Sequence, residues 1–167
     1  MNKAYLLIGG NLGDREANMS EARRLIGERC GTLRAASSLY ATAAWGLQDQ
    51  PDFLNQALFL ETGAGAPELL EGLLDIERSM GRTRGVRYGP RAIDIDILFF
   101  NDHVIDAPGL DIPHPRMAGR RFVLTPLAEI APKLRHPETG ITVMEMLEQC
   151  PDELPVHKYE GVVHKKP

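Results

Sequence analysis

Residues 92–100 read Ala-Ile-Asp-Ile-Asp-Ile-Leu-Phe-Phe, and no other stretch of the chain constrains the fold as tightly. Side chains on a strand alternate faces with period two, whereas a helical face repeats near 3.6. Strict Ile/Asp alternation followed by an apolar run therefore predicts a strand. Ile93, Ile95 and Ile97 share one face, and Asp94 and Asp96 share the other. The apolar face needs a covering layer, and the residues before it supply one.

Residues 4–8 are a short apolar run, read as a buried strand. Gly9 to Asp14 is a turn, and Asp14 suits the N-cap of a helix running to about Glu28. Asn18, Ala22, Leu25 and Ile26 mark one face of that helix, and Gly31 signals its end. Residues 33–41 and 53–61 read as strands separated by a long loop, 43–52. Pro67 is placed as the first residue of a second helix. Leu70, Leu73, Leu74 and Glu77 mark one side of it, and it ends near Met80-Gly81. The order β-α-β-β-α-β predicts an α+β, ferredoxin-like core, an antiparallel sheet with both helices on one face. Beyond Phe100, Asn101-Asp102 is expected to turn the chain back through residues 103–105 as a C-terminal hairpin. Residues 121–130 and 142–149 read as short helices. Residues 152–167 carry few apolar groups and are read as a loosely held tail of a single domain spanning 1–167.

Composition bounds the function. A chain of 167 residues, 43% hydrophobic and 25% charged, fits one soluble domain. No apolar stretch approaches the roughly 20 residues of a membrane span. The N-terminal apolar run is too short for a secretion signal, so a cytoplasmic protein without membrane contact is expected. Cys30 and Cys150 make neither a disulfide framework nor a metal cluster. A net charge of −4 argues against a nucleic-acid partner held by a general basic surface. Yet 14 of the 19 basic residues are Arg, and five of these, with no acid, lie between Arg78 and Arg91. The planar fork of Arg matches phosphate oxygens.

The basic segment, residues 82–91, carries Gly and Pro, reads as a loop, and runs straight into the two-Asp strand. Hard cations such as Mg²⁺ take oxygen ligands, often one or two carboxylates plus substrate phosphates. Asp94 and Asp96 fit that use, although their spacing alone is also that of an ordinary polar strand face. Arginines converging with a metal on one place is what phosphoryl transfer needs, because its catalysis is largely positioning and charge stabilisation. Gly9-Gly10-Asn11-Leu12-Gly13 lacks the Lys and hydroxyl of a P-loop, so a nucleotide phosphate must be held by side chains and metal. Phe53 and Asn55 share a strand face. An aromatic ring beside an amide can stack on and read a flat heterocycle, although a core Phe with a capping Asn has the same spacing. His114, between two prolines, is accompanied by Arg116, Arg120 and Arg121, a second cluster suited to phosphate.

Four segments, in order, resemble one enzyme family. They are residues 4–14 (Ala-Tyr-Leu-Leu-Ile-Gly-Gly-Asn-Leu-Gly-Asp), 48–55 (Gln-Asp-Gln-Pro-Asp-Phe-Leu-Asn), 89–97 (Gly-Pro-Arg-Ala-Ile-Asp-Ile-Asp-Ile) and 113–132, which opens Pro-His-Pro-Arg-Met. Over about residues 4–150 the chain resembles the 6-hydroxymethyl-7,8-dihydropterin pyrophosphokinases of folate biosynthesis. The resemblance implies transfer of the β,γ-pyrophosphate of ATP to the pterin hydroxymethyl group, with release of AMP. It implies that Asp94 and Asp96 hold two Mg²⁺ ions. It casts Arg82 and Arg91 as the residues stabilising the transferring group, and Arg84, His114 and Arg120 as further ATP contacts. Phe53 and Phe122 resemble the aromatic faces that sandwich the pterin, and Asn55 the residue bonding its edge. Thr42 and Trp45 match the loop closing over it. Loops 43–52 and 82–90 are the expected lids. Ala44 stands where the family commonly has Pro, and Tyr88 where Trp is frequent. The partners implied are the two small substrates alone, with a monomer expected. Two other classes meet part of the pattern: a different Mg²⁺-dependent phosphotransferase or nucleotidyltransferase, and a non-enzymatic ferredoxin-like module binding RNA. The acidic balance and the absence of an aromatic-rich RNA signature weigh against the second.

Overall fold

The computed structural model describes residues 1–43, 51–81 and 92–161. The strands are β1 (Asn2–Gly10), β2 (Thr32–Ala36), β3 (Tyr40–Thr42), β4 (Phe53–Thr62), β5 (Asp94–Phe100), β6 (Ile105–Ala107), β7 (Leu110–Ile112) and β8 (Val156–Lys158). The helices are α1 (Arg15–Arg29), α2 (Ala66–Ser79), α3 (Arg121–Ile130) and α4 (Val143–Gln149). The main sheet runs β5-β1-β4-β3-β8, and β2 shares the outer side of β4 with β3. Every pairing in it is antiparallel. The βαββαβ, ferredoxin-like core expected from the sequence is present.

Local chemistry explains most element ends. Asp14 caps α1 by accepting the Ala17 N–H at 3.1 Å. The last helix starts with a reciprocal capping box between Thr142 and Glu145. α2 begins one residue earlier than expected, at Ala66, with Pro67 still inside the first turn. Its buried stripe is Leu69, Leu73, Ile76 and Glu77 rather than Leu70, Leu73, Leu74 and Glu77. On α1 the buried residue is Met19, and Asn18 lies beside it, half-buried. Both differences are one helical step, within the range over which a stripe alone can be placed.

Three connections differ from the expectation. The strand expected over residues 33–41 is broken into β2 and β3. At the break, Ser37 Oγ donates to the Ser38 carbonyl at 2.7 Å and accepts the Ala57 N–H at 3.0 Å. Such short side-chain bonds compete with ladder pairing. The C-terminal hairpin exists, but β6 pairs with β7 rather than running back along β5. Asn101 does turn the chain, at φ 50°, a conformation asparagine tolerates well. The segment read as a loose tail from Asp152 carries β8, paired with β3 in register Thr42↔Val156 to Tyr40↔Lys158. An edge strand is held by its backbone, so its polar side chains carried little sign of it.

The sheet splits the core in two. On one side Leu6, Ile8, Leu54, Leu58, Leu60, Ile95 and Ile97 pack against α1 and α2. On the other, Leu7, Ala57, Leu98 and Phe99 pack against α3 and α4. A register shift between Tyr5 and Leu6 leaves Leu98 as an extra residue on β5. This bulge lets Leu98 and the following Phe99 both face α3 and α4.

Candidate active site

The C-terminal pair of helices covers only part of its face of the sheet. Where β4 begins, β1 ends and β5 begins, a cleft of about 740 Å³ opens, lined by residues that include Gly9, Thr42, Phe53, Asn55, Asp94, Asp96, Arg120 and Phe122. A second cavity of about 330 Å³ adjoins it, with Asp96 and Arg120 in both walls and with His114 and Arg116 on its far side. The sheet register brings the groups together. Gly9 lies opposite Asn55 on one side and opposite Asp94 on the other. Three residues far apart in the chain thereby line one floor, with Asp96 one alternation further along.

Gly9 is required there by space. A Cβ on it would lie 2.2 Å from Asn55 Oδ1 and 3.1 Å from the Leu54 carbonyl. Its bare backbone leaves room for the Asn55 amide, which is buried and turned to the cleft. Thr42, at the end of β3, is 5% exposed, and its hydroxyl donates to the Pro155 carbonyl at 2.9 Å. Phe122 sits in the first turn of α3, and the Arg120 guanidinium lies over its ring, 5.7 Å from the centroid. A cation on a ring face is an attractive contact, so these two side chains orient one another across the boundary of the two cavities.

The free edge of β5 is closed by other groups. Glu77 of α2 is 3% exposed, and its Oε2 accepts the Ile95 N–H at 2.9 Å. Ile95 is the residue between the two aspartates, so a buried carboxylate holds their strand from behind. The Leu98 carbonyl accepts the His114 N–H at 3.0 Å, which ties the Pro-His-Pro segment to the same edge. Burial pushes the His114 imidazole below its ordinary value. The positive charges of Arg120 and Arg116 add to this, while Asp96 and Asp111 oppose it. His114 Nδ1 accepts the Arg116 N–H at 3.2 Å, which leaves Nε2 as the donor of the neutral ring.

Of the residues expected from the sequence, Thr42, Phe53, Asn55, Asp94, Asp96, Arg120 and Phe122 line the larger cleft, and His114 lines the smaller. Trp45, Arg82, Arg84 and Arg91 lie outside the described residues. Arg121, grouped with the phosphate cluster from its charge, is engaged elsewhere. Its Nε donates to the Asp152 carbonyl at 2.8 Å and a terminal nitrogen to the Cys150 carbonyl at 3.3 Å. Gly9, Glu77, Pro151, Asp152 and Leu154 also line the cleft and were not singled out for it. Only Glu77 left a signal, an acid on the apolar stripe of a helix, where charge is rare unless it has a partner.

The arrangement joins an aromatic and amide-lined cleft to a pocket that carries His114 and Arg116, with Asp96 and Arg120 in both walls. A family model for 7,8-dihydro-6-hydroxymethylpterin-pyrophosphokinase matches residues 5–132. The Bacillus subtilis 2-amino-4-hydroxy-6-hydroxymethyldihydropteridine pyrophosphokinase is 45% identical over 140 residues, covering 83% of this chain and 84% of the relative. The enzyme of the same description from Pseudomonas aeruginosa is 39% identical over 155 residues, covering 92% and 94%. Among solved structures, Plasmodium falciparum HPPK-DHPS superposes with a TM-score of 0.73 at 18% identity. That likeness covers 89% of this chain and 43% of the longer one, and it concerns the fold alone. Sequence match, fold and the convergence of the signature residues on one cleft agree, and the chain belongs to the 7,8-dihydro-6-hydroxymethylpterin pyrophosphokinase family.

Proposed function

We propose that this cleft transfers the β,γ-pyrophosphate of ATP to the hydroxymethyl oxygen of 6-hydroxymethyl-7,8-dihydropterin, releasing AMP, the reaction of its family in folate biosynthesis. The observation that carries the reading is the shared wall of Asp96 and Arg120. It joins a cleft lined by Phe53, Asn55 and Phe122 to a pocket lined by His114 and Arg116. The pterin belongs in the first and the triphosphate in the second, so the acceptor hydroxyl meets the β-phosphorus at the carboxylates between them.

Phe53 and Phe122 stack on the flat pterin, and the Asn55 amide supplies both a donor and an acceptor to its edge. Thr42, on the strand beside them, closes the same side. His114, neutral and donating from Nε2, bonds a phosphate oxygen without needing a second proton. Arg120 and Arg116 add fixed positive charge at the same place; by family resemblance Arg82 and Arg91 are assigned to the transferring group and Arg84 to a further ATP contact. No nucleophile is required of the protein, since the pterin hydroxyl attacks. The residues present fit Mg²⁺. Asp94 and Asp96 are hard oxygen donors on one strand face, their backbone braced by Glu77 and the floor beside them kept clear by Gly9. Bound there with ATP phosphates, Mg²⁺ would neutralise charge developing between the transferred group and the AMP oxygen. The enzyme works as a soluble monomer of the cytoplasm in this reading.

Incubation with ATP, Mg²⁺ and the dihydropterin, followed by separation of nucleotides, tests it. AMP appearing in step with a pyrophosphorylated pterin is the expected result. ADP as the product, or turnover undiminished by chelation of divalent cations, would overturn it.

A further inference from the structure

α3 begins without a cap of its own. The residue at its N-cap, Arg120, makes no side-chain bond to the first turn. The missing acceptor comes from 31 residues further along the chain, where Asp152 Oδ2 accepts the Arg121 N–H at 3.0 Å. The second carboxylate oxygen of Asp152 accepts the Leu154 N–H at 2.9 Å. The Arg121 side chain returns the contact, donating to the Asp152 and Cys150 carbonyls. Beyond this clasp, the Pro155 carbonyl accepts the Thr42 hydroxyl, β8 pairs with β3, and the Tyr159 N–H donates to the Leu39 carbonyl at 2.8 Å. Residues 150–159 therefore form a strap from the start of α3 to the edge of the sheet. Pro151, Asp152 and Leu154 face the larger cleft and take no part in the smaller pocket.

We propose that this strap is the acceptor-side wall of the active site, and that Asp152 is a positioning residue that sets Phe122 against the pterin by capping α3 from outside. The proposal rests on the reading of the larger cleft as the pterin site. A carboxylate at a helix N-terminus both satisfies an orphan N–H and opposes the positive end of the helix dipole, so it holds the first turn and its side chains in place. Phe122 is in that turn. The wall residues touch the acceptor half only, so their influence falls on the acceptor and spares the nucleotide.

The test is steady-state kinetics on the full chain, with KM measured separately for 6-hydroxymethyl-7,8-dihydropterin and for MgATP, beside the melting temperature of each variant. Asp152→Ala is expected to raise the acceptor KM about tenfold and to leave the nucleotide KM within about twofold, since small misplacements of binding groups have effects of this order. Asp152→Asn keeps an amide oxygen for the Arg121 N–H and is expected to restore most of the loss. Leu154→Ala removes wall without touching the cap and is expected to raise the acceptor KM about tenfold, the low end of what the loss of apolar contact in a substrate pocket causes. That variant decides the matter if Asp152→Ala fails to fold. Equal increases in both KM values, or an unchanged acceptor KM in the folded variants, would overturn the proposal. A wild-type chain that turns over no pterin would instead fail the functional reading beneath it.

Discussion

The two faces of the sheet are used differently. Towards α1 and α2, β1, β4 and β5 present a largely apolar surface in which Leu6, Ile8, Leu54, Leu58 and Leu60 are fully buried. The one buried amide among them, Gln56, accepts a hydrogen bond from Arg23 of α1 at 2.7 Å. Towards α3 and α4 the same strands are apolar only at one end, around Leu7, Ala57, Leu98 and Phe99. At the other end neither α3 nor α4 packs on that face, and it is there that Gly9, Asn55, Asp94 and Asp96 line the cleft. A continuous layer of side chains fixes strand positions to within packing tolerance. The open face can then hold closely spaced carboxylates and an amide in position without packing them. One face supplies rigidity and the other supplies chemistry, on alternate residues of the same strands.

Substitutions on the two faces should therefore separate stability from activity. The largest effect is expected from Asp96→Ala. Asp96 is exposed on the open face, so the melting temperature should stay within about 2 °C while turnover drops at least about 10²-fold, the usual scale for losing a transition-state charge contact. AMP release and a thermal melt on the same sample check both halves, and near-normal turnover would remove Asp96 from the site. The reverse pattern is expected for Leu58→Ala on the covered face. A fully buried leucine truncated to alanine costs about 2–5 kcal/mol, read from denaturant unfolding, with kcat retained wherever the protein is folded. A selective loss of kcat there would break the division between the faces.

Glu77 links the two sides, since it reaches from α2 to the strand carrying the aspartates. Glu77→Ala should cost about 1–3 kcal/mol by leaving the buried Ile95 N–H unpaired, and should also lower kcat. Glu77→Gln keeps an acceptor, so it should recover most of both, and a stability loss without any loss of kcat would confine Glu77 to folding. Gly9→Ala acts on the floor of the cleft. Its methyl displaces Asn55, so the acceptor KM should rise about tenfold, about 1.4 kcal/mol, with the nucleotide KM unchanged.

The smallest effect concerns how α3 is held over the open face. Burial pushes the Glu129 carboxyl up, but hydrogen bonds from Tyr40 and Ser38 outweigh it and hold the group below its ordinary value of 4.5. A carboxyl lowered by folding adds stability above that value and loses it as the pH falls through the lower folded one. Melting temperature followed from neutral to acid pH should fall more in the wild type than in Glu129→Gln. Parallel curves would show the contact to be without consequence, as for many exposed ion contacts.

Much of this architecture was legible along the chain. The Ile/Asp alternation placed both aspartates on one face. Asp14 and Thr142 marked their helix starts, and the element order pointed to the ferredoxin-like core. The hairpin of β6 and β7 was misplaced because a turn at Asn101 tells where a chain reverses and not which strand it then pairs with. The strap was missed because β8 is held by main-chain pairing and by Asp152, a carboxylate that looks like any surface acid in sequence. Arg121 was miscast for a related reason, since charge in a cluster says nothing of the direction in which a side chain leaves its helix.

The chain alone thus determined the periodic elements and the pairing of apolar and acidic residues on opposite faces of β5. These follow from local geometry, which a strand or helix imposes on every residue it contains. The tertiary structure alone decided that Gly9 stands bare between Asn55 and Asp94, that Glu77 braces the strand of the aspartates, and that Pro151, Asp152 and Leu154 line the cleft. Those contacts join positions up to more than a hundred residues apart, as from Thr42 to Pro155. They exist only once sheet register and helix packing have brought the distant segments to the same few ångströms.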